Sequence, residues 1–220
     1  MLYLVATPIG NLGDITFRAV EILKSCDYIL CEDTRHSLRL LQHYSIQKPL
    51  ISYHMFNEAS REQKVIADLE AGKNIALISD AGTPGIADPG MRLVKKCRDE
   101  NLKVEAIPGA CAAIQAITCS GMSTERFQFW GFLPKTSGRL QTQLEDILKY
   151  PGTTICYETP HRLLKVLEVL KRLAPERKIC VARELTKKFE EVLSGTPSEL
   201  LLEWKNRSVK GEIVLLIKGE

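Results

Sequence analysis

Several motifs and segment types are missing from this 220-residue sequence, and each absence disfavours a class of protein. No apolar run approaches the ~20 residues that a bilayer-spanning helix needs, so an integral membrane protein is not expected. The seven cysteines form no CxxC pair, and the four histidines do not stand at zinc-ligand spacing with them. We therefore expect reduced, buried thiols and no metal site. The dinucleotide motif GxGxxG, the phosphate loop GxxxxGK(S/T) and the nucleophile elbow GxSxG are also absent, which disfavours Rossmann dehydrogenases, P-loop ATPases, kinases and α/β-hydrolases.

The composition that remains is that of an ordinary globular protein. Hydrophobic residues make up 45% and charged residues 26%, the net charge is +3 and the mean hydropathy is −0.08. Residues 1–120 hold 13 basic and 14 acidic side chains, whereas residues 121–220 hold 17 and 13, so the second half permits an anionic partner. The segment Met1–Ala6 has no basic region before its apolar residues, so it predicts a strand rather than a signal peptide, and a cytoplasmic protein.

Short apolar or β-branched runs alternate with longer amphipathic segments, and this alternation predicts an α/β fold with two α/β domains. The predicted strands are Tyr3–Ala6, Tyr28–Cys31, Ile75–Ser79, Val104–Ile107, Phe127–Phe132, Thr153–Tyr157, Ile179–Ala182 and Ile213–Ile217. We expect Asp14 to cap the first helix, and capping boxes at Ser60 with Gln63 and at Thr196 with Glu199. The change of charge near Ser120 predicts domains 1–120 and 121–220.

Glycine and proline are concentrated directly after four of the predicted strands. The segments are 7–14, 80–90, 108–110 and 158–162. Glycine lets backbone approach a ligand closely, and ligands of open parallel sheets bind beyond the carboxyl ends of the strands. Any one of these segments could be a tight strand-to-helix turn, but four of them predict a ligand cleft. The spacing alone leaves the ligand open.

The sequence resembles the ribosomal RNA small subunit methyltransferase I family, a branch of the tetrapyrrole methylase-like, class III S-adenosylmethionine-dependent methyltransferases. The resemblance runs in family order along essentially the whole chain. The matching segments are residues 5–12 with 14–16, 32–35, 79–84 with 88–90, 108–110, 131–134, 158–162, 182–187 and 211–212. Many members carry a further carboxyl-terminal segment, so we expect any RNA contact of that segment to be absent or replaced here.

The resemblance implies two α/β domains of the tetrapyrrole methylase type with the donor cleft between them. It implies methylation, by S-adenosylmethionine, of the ribose 2′-hydroxyl of a cytidine in the decoding region of 16S ribosomal RNA. The partners it implies are 16S ribosomal RNA or the small ribosomal subunit, and a second copy in a homodimer. By position in the motifs, the expected donor-binding residues are Pro8, Gly82, Thr83, Ile86, Cys111, Ala112, Glu158 and Leu185. Thr83 stands where tetrapyrrole methylases usually have an aspartate.

Transfer to a ribose hydroxyl requires removal of a weakly acidic proton, or a cation that offsets the developing charge. Glu184 and Lys187 are the candidates for these two roles. Arg35, Arg162 and Arg183 are candidates for holding phosphate, because a guanidinium binds phosphate oxygens in a fork, and His161 is a further substrate-binding candidate. For each of these side chains an ordinary surface ion pair is the alternative.

Four aromatic residues, Phe127, Phe129, Trp130 and Phe132, suggest a surface on which bases stack. Odd and even positions are both occupied, however, which favours burial of at least one of them in the core. Other functions also remain open. A methyltransferase of the same fold acting on a tetrapyrrole or a protein is one, and a non-catalytic RNA-binding relic is another.

Overall fold

The chain folds into two α/β units, Met1–Cys111 and Ala112–Glu220, and the computed structural model describes all 220 residues. Each unit is built on one five-stranded sheet. The predicted α/β class is therefore confirmed. None of the helices combines the length and the apolar character needed to cross a membrane.

The first unit is a parallel sheet with helices on both faces. Its elements are β1 (Leu2–Val5), α1 (Phe17–Ser25), β2 (Tyr28–Cys31), α2 (Thr34–His43), β3 (Leu50–Ser52), α3 (Glu58–Glu70), β4 (Ile75–Leu77), α4 (Met91–Asp99) and β5 (Val104–Ile107). The strand order is β3-β2-β4-β1-β5, and every neighbouring pair is parallel. All residues of β2 and β4 are buried, as expected for central strands covered on both sides.

Two separate cores explain why the central strands are apolar throughout rather than alternating. Leu23 of α1 packs with Ile29 on one face of the sheet, together with residues of α2. Leu93 of α4 packs with Leu30 on the other face, together with residues of α3. Successive strand residues point to opposite faces, so a strand with a core on each side needs apolar residues at every position.

Two helix starts differ from the prediction. Thr16, not Asp14, caps α1, because its hydroxyl accepts the Ala19 N–H at 3.1 Å while Asp14 ends a short 3-10 helix. The capping box predicted at Ser60 is wrong as well, since Ser60 lies inside α3 and its hydroxyl donates to the Asn57 carbonyl at 2.9 Å. The start of α3 at Glu58 moves Ser60 past the position where a cap can act.

The second unit has a mixed sheet. Its elements are α5 (Ala112–Cys119), β6 (Phe127–Phe132), α6 (Ser137–Leu148), β7 (Thr153–Glu158), α7 (Pro160–Leu173), β8 (Ile179–Arg183), β9 (Glu191–Gly195), α8 (Pro197–Lys205) and β10 (Ile213–Ile217). The order is β6-β7-β10-β8-β9, in which β10 runs antiparallel to both β7 and β8. The expectation of an open parallel sheet therefore holds for the first unit only. The strands β6, β7 and β8 still run in one direction, so their carboxyl ends share one edge.

Helices α6, α7 and α8 cover one face of this sheet, and their side chains share a core with residues such as Cys156 and Leu215. The predicted capping box that opens α8 is confirmed, because the Thr196 and Glu199 side chains each cap the other's backbone. Helix α5 contributes nothing to this core yet contacts β7 and β10, so it lies on the opposite face.

The boundary between the units lies before α5, whereas the sequence predicted it near Ser120, after α5. The reason is packing. The apolar side chains Ala113, Ala116 and Ile117 are buried, and α5 contacts the strands of the second sheet. The helix therefore belongs to the unit of residues 112–220. It contains no charged residue, so the charge distribution of the sequence could not assign it to either half.

Two glycines of the second unit provide a matched test of this packing. A Cβ at Gly152 would collide with the Arg126 carbonyl, which accepts the Thr153 N–H at 2.9 Å, whereas a Cβ at Gly138 in α6 meets no atom within 4 Å. We expect Gly152→Ala to lower the free energy of unfolding by about 1–3 kcal/mol through overpacking. Gly138→Ala should raise it by about 0.5 kcal/mol, because alanine loses less chain entropy in a helix. Urea denaturation measures both, and equal effects would contradict the packing described.

Candidate functional site

The loops at the carboxyl edge of the first sheet are joined to one another by hydrogen bonds. Thr7, after β1, and Gly82, after β4, exchange backbone N–H···O bonds of 2.9 and 3.0 Å. The Thr7 hydroxyl also donates to the Ser79 carbonyl at 3.1 Å. These bonds fix the loop that follows β4 against the loop that follows β1.

Gly82 and Thr83 give this edge its shape. Gly82 has φ +84°, a left-handed conformation that strongly favours glycine. The Thr83 hydroxyl donates to the Ala110 carbonyl at 3.0 Å, so the side chain that replaces the usual aspartate ties this loop to the loop after β5. Gly109 in that loop is close enough to Ala6 that a Cβ would lie 2.7 Å from the Ala6 Cβ. Three loops therefore meet with little side chain between them, with Gly82 buried and Gly109 exposed.

Five of the eight predicted donor-binding residues lie on these loops of the first unit: Pro8, Gly82, Thr83, Ile86 and Cys111. Ile86 is an apolar side chain that remains 42% exposed at the edge. The other three belong to the second unit, where Ala112 begins α5, Glu158 ends β7 and Leu185 is buried after β8.

A group of carboxylates at this edge was missed by the sequence analysis. Burial raises the pKa of Glu32 to about 7, with repulsion from Asp88 and Asp80 adding to the effect. Burial also raises the pKa of Asp88 to about 6, against the opposing effect of a hydrogen bond from Ser79. No group of three or more His, Cys, Asp or Glu side chains is arranged to hold a metal ion. These residues lie far apart in sequence, so only the alignment of strand ends reveals the group.

Asp33, next to Glu32, has the opposite electrostatic behaviour. Its carboxylate caps α2 by accepting the N–H groups of Arg35 and His36 at 2.8 and 3.4 Å. These hydrogen bonds lower the pKa of Asp33 below its usual value. Arg35 itself is exposed, and its guanidinium makes no ion pair, so it remains available to a phosphate.

At the carboxyl edge of the second sheet, β10 brings together the ends of its two neighbours. Ile213 pairs with Glu158 of β7 on one side and with Arg183 of β8 on the other. Glu212, directly before β10, therefore lies between the loops that follow β7 and β8. The sequence separates these three segments by 25 residues or more, and the sheet joins them.

Glu158 is a buried carboxylate, and one of its two oxygens accepts no hydrogen bond. The residue is 2% exposed, Oε1 accepts the Thr159 N–H at 2.7 Å, and Oε2 has no hydrogen-bond partner. Burial raises the pKa of Glu158, although the Thr159 N–H and the nearby Arg162 oppose this shift. Oε2 forms an ion pair with the Arg162 guanidinium at 3.4 Å but no hydrogen bond, so it retains the capacity to accept a hydrogen bond from a ligand.

Two of the arginines predicted to hold phosphate are engaged within the chain. The Arg162 guanidinium donates to the carbonyls of Leu133, at 3.0 Å, and Pro134, and one of its nitrogens lies 3.4 Å from Glu158 Oε2. It therefore holds the loop after β6 beside the end of β7. His161, its neighbour in the first turn of α7, is exposed.

The Arg183 guanidinium donates to the Glu191 carboxylate at 3.3 and 3.4 Å and to the Lys210 carbonyl at 3.2 Å. It also lies over the Trp204 ring, with 5.7 Å between its central carbon and the ring centroid. Arg183 therefore has less capacity for a phosphate than Arg35, which forms no such contacts.

Lys187 lies between two carboxylates. Its Nζ is 2.8 Å from Glu184 Oε1 and 3.0 Å from Glu212 Oε2. Partial burial is the largest single influence on both groups and opposes their charge, but their mutual hydrogen bond, further hydrogen bonds involving Glu212 and the nearby opposite charges together outweigh it. The pKa of Glu184 is consequently lowered and that of Lys187 is raised. Both groups are charged at neutral pH, which suits Lys187 to stabilise negative charge and weakens Glu184 as a base.

The backbone that carries this pair is strained. Glu184 and Thr186 have φ of 53° and 67°, in the left-handed region that side chains other than glycine seldom adopt. Gly211 packs against Glu184 so closely that a Cβ there would collide with its carboxyl group. Strain of this kind persists only where the surrounding structure enforces it, and it is concentrated at functional sites.

The class of protein to which this fold belongs follows from its similarity to known proteins. The model of the family described as Tetrapyrrole (Corrin/Porphyrin) Methylases matches residues 1–201. Two solved structures share the fold over 99% of this chain. Uroporphyrin-III-C-methyltransferase from Thermus thermophilus has a TM-score of 0.68 at 18% identity over 93% of its chain, and diphthine synthase has 0.75 at 14% over 89%.

The chain belongs to the tetrapyrrole methylase family. Within it, the chain belongs with the ribosomal RNA small subunit methyltransferases I. The relative of that name from Synechocystis sp. is 50% identical over 220 residues, which cover 100% of this chain and 79% of the relative. The family predicted from the sequence motifs is thereby confirmed.

The neighbouring carboxylates Glu32 and Asp33 should have opposite effects on the pH dependence of stability. Because the pKa of Glu32 rises from 4.5 to about 7 on folding, its deprotonation lowers the free energy of unfolding as the pH increases through that window. Glu32→Gln should therefore match the parent near pH 4 and exceed it at pH 8. Urea midpoints measured from pH 4 to 8 test this expectation.

Asp33→Asn is the control of opposite sign. The lowered pKa of Asp33 contributes stability that is present above its unfolded value of 3.8 and lost as the pH falls. This variant should be less stable than the parent at pH 8, with the difference shrinking towards pH 3. Parallel pH profiles for the parent and Glu32→Gln would show that Glu32 carries no raised pKa.

Proposed function

We propose that this protein transfers a methyl group from S-adenosylmethionine to the ribose 2′-hydroxyl of a cytidine in the decoding region of 16S ribosomal RNA. The observation that carries the proposal is the 50% identity, over the whole chain, to a relative named ribosomal RNA small subunit methyltransferase I. The substrate is 16S ribosomal RNA or the small ribosomal subunit, which implies a cytoplasmic location. We also expect a homodimer.

The residues at the first edge fit the methyl donor. S-adenosylmethionine needs hydrogen-bond partners for its amino acid and ribose groups and an apolar surface for its adenine. The backbone at Gly109 is exposed, and Ile86 offers exposed apolar surface. Gly82 is buried, and its two hydrogen bonds to Thr7 hold the loop after β4 in place beside them. We propose that these loops, with Pro8 and Thr83, hold the donor.

Bound S-adenosylmethionine supplies an electrophilic methyl group on a sulfonium, so no covalent enzyme intermediate is needed. The chain must orient the ribose hydroxyl and accommodate the charge that develops as its proton leaves. We assign the second task to the Lys187 ammonium. Glu184, whose lowered pKa makes it a weak base, acts mainly by holding Lys187 in position.

Arg35 and His161 are the predicted substrate-binding residues with exposed side chains, and we propose that they contact RNA. Arg162 and Arg183 act by positioning their own loops, because their guanidinium groups are bonded within the chain. A homologue that modified a tetrapyrrole or a protein would show no RNA-dependent methyl transfer. A non-catalytic relic would give no heat on titration with S-adenosylmethionine.

Gly82→Val should impair donor binding, and Gly72→Val is its matched control. Both glycines have nearly the same positive φ, +84° and +86°, so each substitution carries a similar backbone penalty of about 1–2 kcal/mol. Gly82→Val should lower stability further, because a Cβ at Gly82 would lie 3.3 Å from Ile9 Cγ2, whereas one at Gly72 meets no atom within 4 Å. Only Gly82 lies at the carboxyl edge, whereas Gly72 lies in the turn before β4, at the opposite end of the sheet. Calorimetric titration with S-adenosylmethionine should show weaker binding for Gly82→Val alone. Unchanged affinity in folded Gly82→Val would contradict the donor assignment.

Lys187→Met should reduce methylation of bound RNA about 100-fold, since it removes the cation next to the reacting hydroxyl. Binding of donor and RNA should change little. Glu184→Gln should lower the rate less, because an amide still accepts a hydrogen bond from Lys187. Lys188→Met, at the adjacent lysine near Phe189, is the control and should keep the parent rate. Single-turnover assays at saturating RNA measure all three, and a parent rate for Lys187→Met would exclude the assignment.

A further inference from the structure

Strand β6 presents aromatic side chains on one face of the second sheet because of a bulge. Phe127 pairs with Thr153, and Phe129 with Ile155, but the register then shifts, so that Phe132 pairs with Tyr157. Two residues of β6, Trp130 and Gly131, thus oppose one residue of β7. Alternation alone would put Phe132 on the opposite face from Phe127 and Phe129, and the extra residue returns it to their face.

This aromatic face is open. Phe132 is 56% exposed and Phe127 is 42% exposed, whereas Trp130 directly follows Phe129 and so lies on the opposite face of the strand. Phe129 and Phe132 pack edge-on against Tyr157, with ring centroids 4.9 and 5.6 Å apart. The expectation that at least one of these aromatics is buried in the core is wrong, because β6 is an edge strand and α5 covers β7 and β10 instead.

The surroundings of β6 are positively charged. Residues 121–144 contain three basic side chains, Arg126, Lys135 and Arg139, and a single acidic one, Glu125. All three basic side chains are exposed, and none forms an ion pair. Arg126 and Lys135 stand just before and just after the aromatic residues, so a cation lies at each end of the strand.

We propose that the aromatic face of β6 binds unpaired bases of the RNA substrate by stacking, with Arg126 and Lys135 contacting the adjacent phosphates. The inference rests on the proposed function, which supplies an RNA partner. Sheet faces that carry two or three aromatic rings are a common platform for single-stranded RNA, because every base has a face that can stack. Residues i and i+2 of a strand are ~6.5 Å apart, which leaves room for separate bases on separate rings.

A second copy of the chain pairing along the β6 edge is the competing occupant. Antiparallel pairing of two β6 strands would bring Arg126 of each copy towards Lys135 of the other. Like charges placed opposite each other destabilise strand pairing, and charged residues on an edge strand generally prevent it. The same charges favour a polyanion. The charge around β6 thus favours RNA.

A tryptophan placed on the aromatic face allows a direct test. Phe132→Trp in a Trp130→Phe background puts the one exposed tryptophan on this face, because Trp204 is 2% exposed. A single-stranded oligoribonucleotide should quench the emission of this double variant, and a fully paired duplex of the same sequence should not. Trp130→Phe alone should show no quenching while retaining affinity, which anisotropy of a labelled oligonucleotide measures.

Phe132→Ala should weaken single-strand binding about tenfold, in line with the loss of one stacked base. Phe132→Tyr, which keeps the ring, should bind within about twofold of the parent. Phe17→Ala removes a phenylalanine that is 92% exposed in the first unit and should change nothing. Lys135→Met should weaken binding at low salt and reduce the salt dependence by about one phosphate.

Parent affinity for Phe132→Ala, or equal quenching by duplex and single strand, would overturn the stacking proposal. Light scattering that shows a dimer lost in Phe132→Ala, with RNA affinity unchanged, would assign β6 to a second copy. The proposed function is tested separately in the same preparations, by donor titration and methyl transfer. Methyl transfer to RNA by the parent, with no quenching of the tryptophan placed at position 132, refutes stacking alone, whereas a parent that binds no donor refutes the proposed function alone.

Discussion

The antiparallel strand β10 is the constraint on which the second half of the candidate site depends. It is inserted between β7 and β8, and its first residue, Ile213, is opposite both Glu158 and Arg183. Because Glu212 precedes it, the backbone of Glu212 exchanges hydrogen bonds with Glu184, at 2.9 and 3.0 Å, while its carboxylate reaches Lys187. A one-residue slip of β10 would turn the Glu212 side chain to the other face and remove Lys187's second partner.

The carboxylates at the two sheet edges differ in their electrostatic environment. Glu32, Asp88 and Glu158 are held where burial disfavours their charged form, and their pKa values are raised. Glu184 lies beside Lys187 and its pKa is lowered. Carboxyl groups with raised pKa values reduce stability at neutral pH, and such groups are concentrated at functional sites. The carboxyl edge of the second sheet carries Lys187, whose raised pKa keeps it positively charged at neutral pH. This edge is therefore the one suited to stabilise negative charge on a hydroxyl oxygen.

The sequence predicts most of the fold because eight of the ten strands are apolar runs that periodicity detects. The missed strands, β3 and β9, contain no fully buried residue, and β9 includes Glu191, Ser194 and Gly195. The direction of β10 could not be predicted either, since pairing partners and strand direction depend on contacts distant in sequence. The same limit applies to the predicted domain boundary, because the charge pattern carries no information about which sheet α5 packs on.

For the site, the sequence predicted roles for Lys187 and Glu184, which form an ion pair in the structure, but it did not predict the state of the arginines. A sequence cannot distinguish an arginine that waits for phosphate from one bonded to carbonyls of its own chain. Arg162 is of the second kind, and its bonds connect two features that the sequence treats as separate. It holds the carbonyls of Leu133 and Pro134, which directly follow the aromatic strand β6, and it contacts Glu158 at the end of β7. Any displacement of β6 on binding RNA would therefore act on the Arg162–Glu158 ion pair, which joins the aromatic strand to the end of β7.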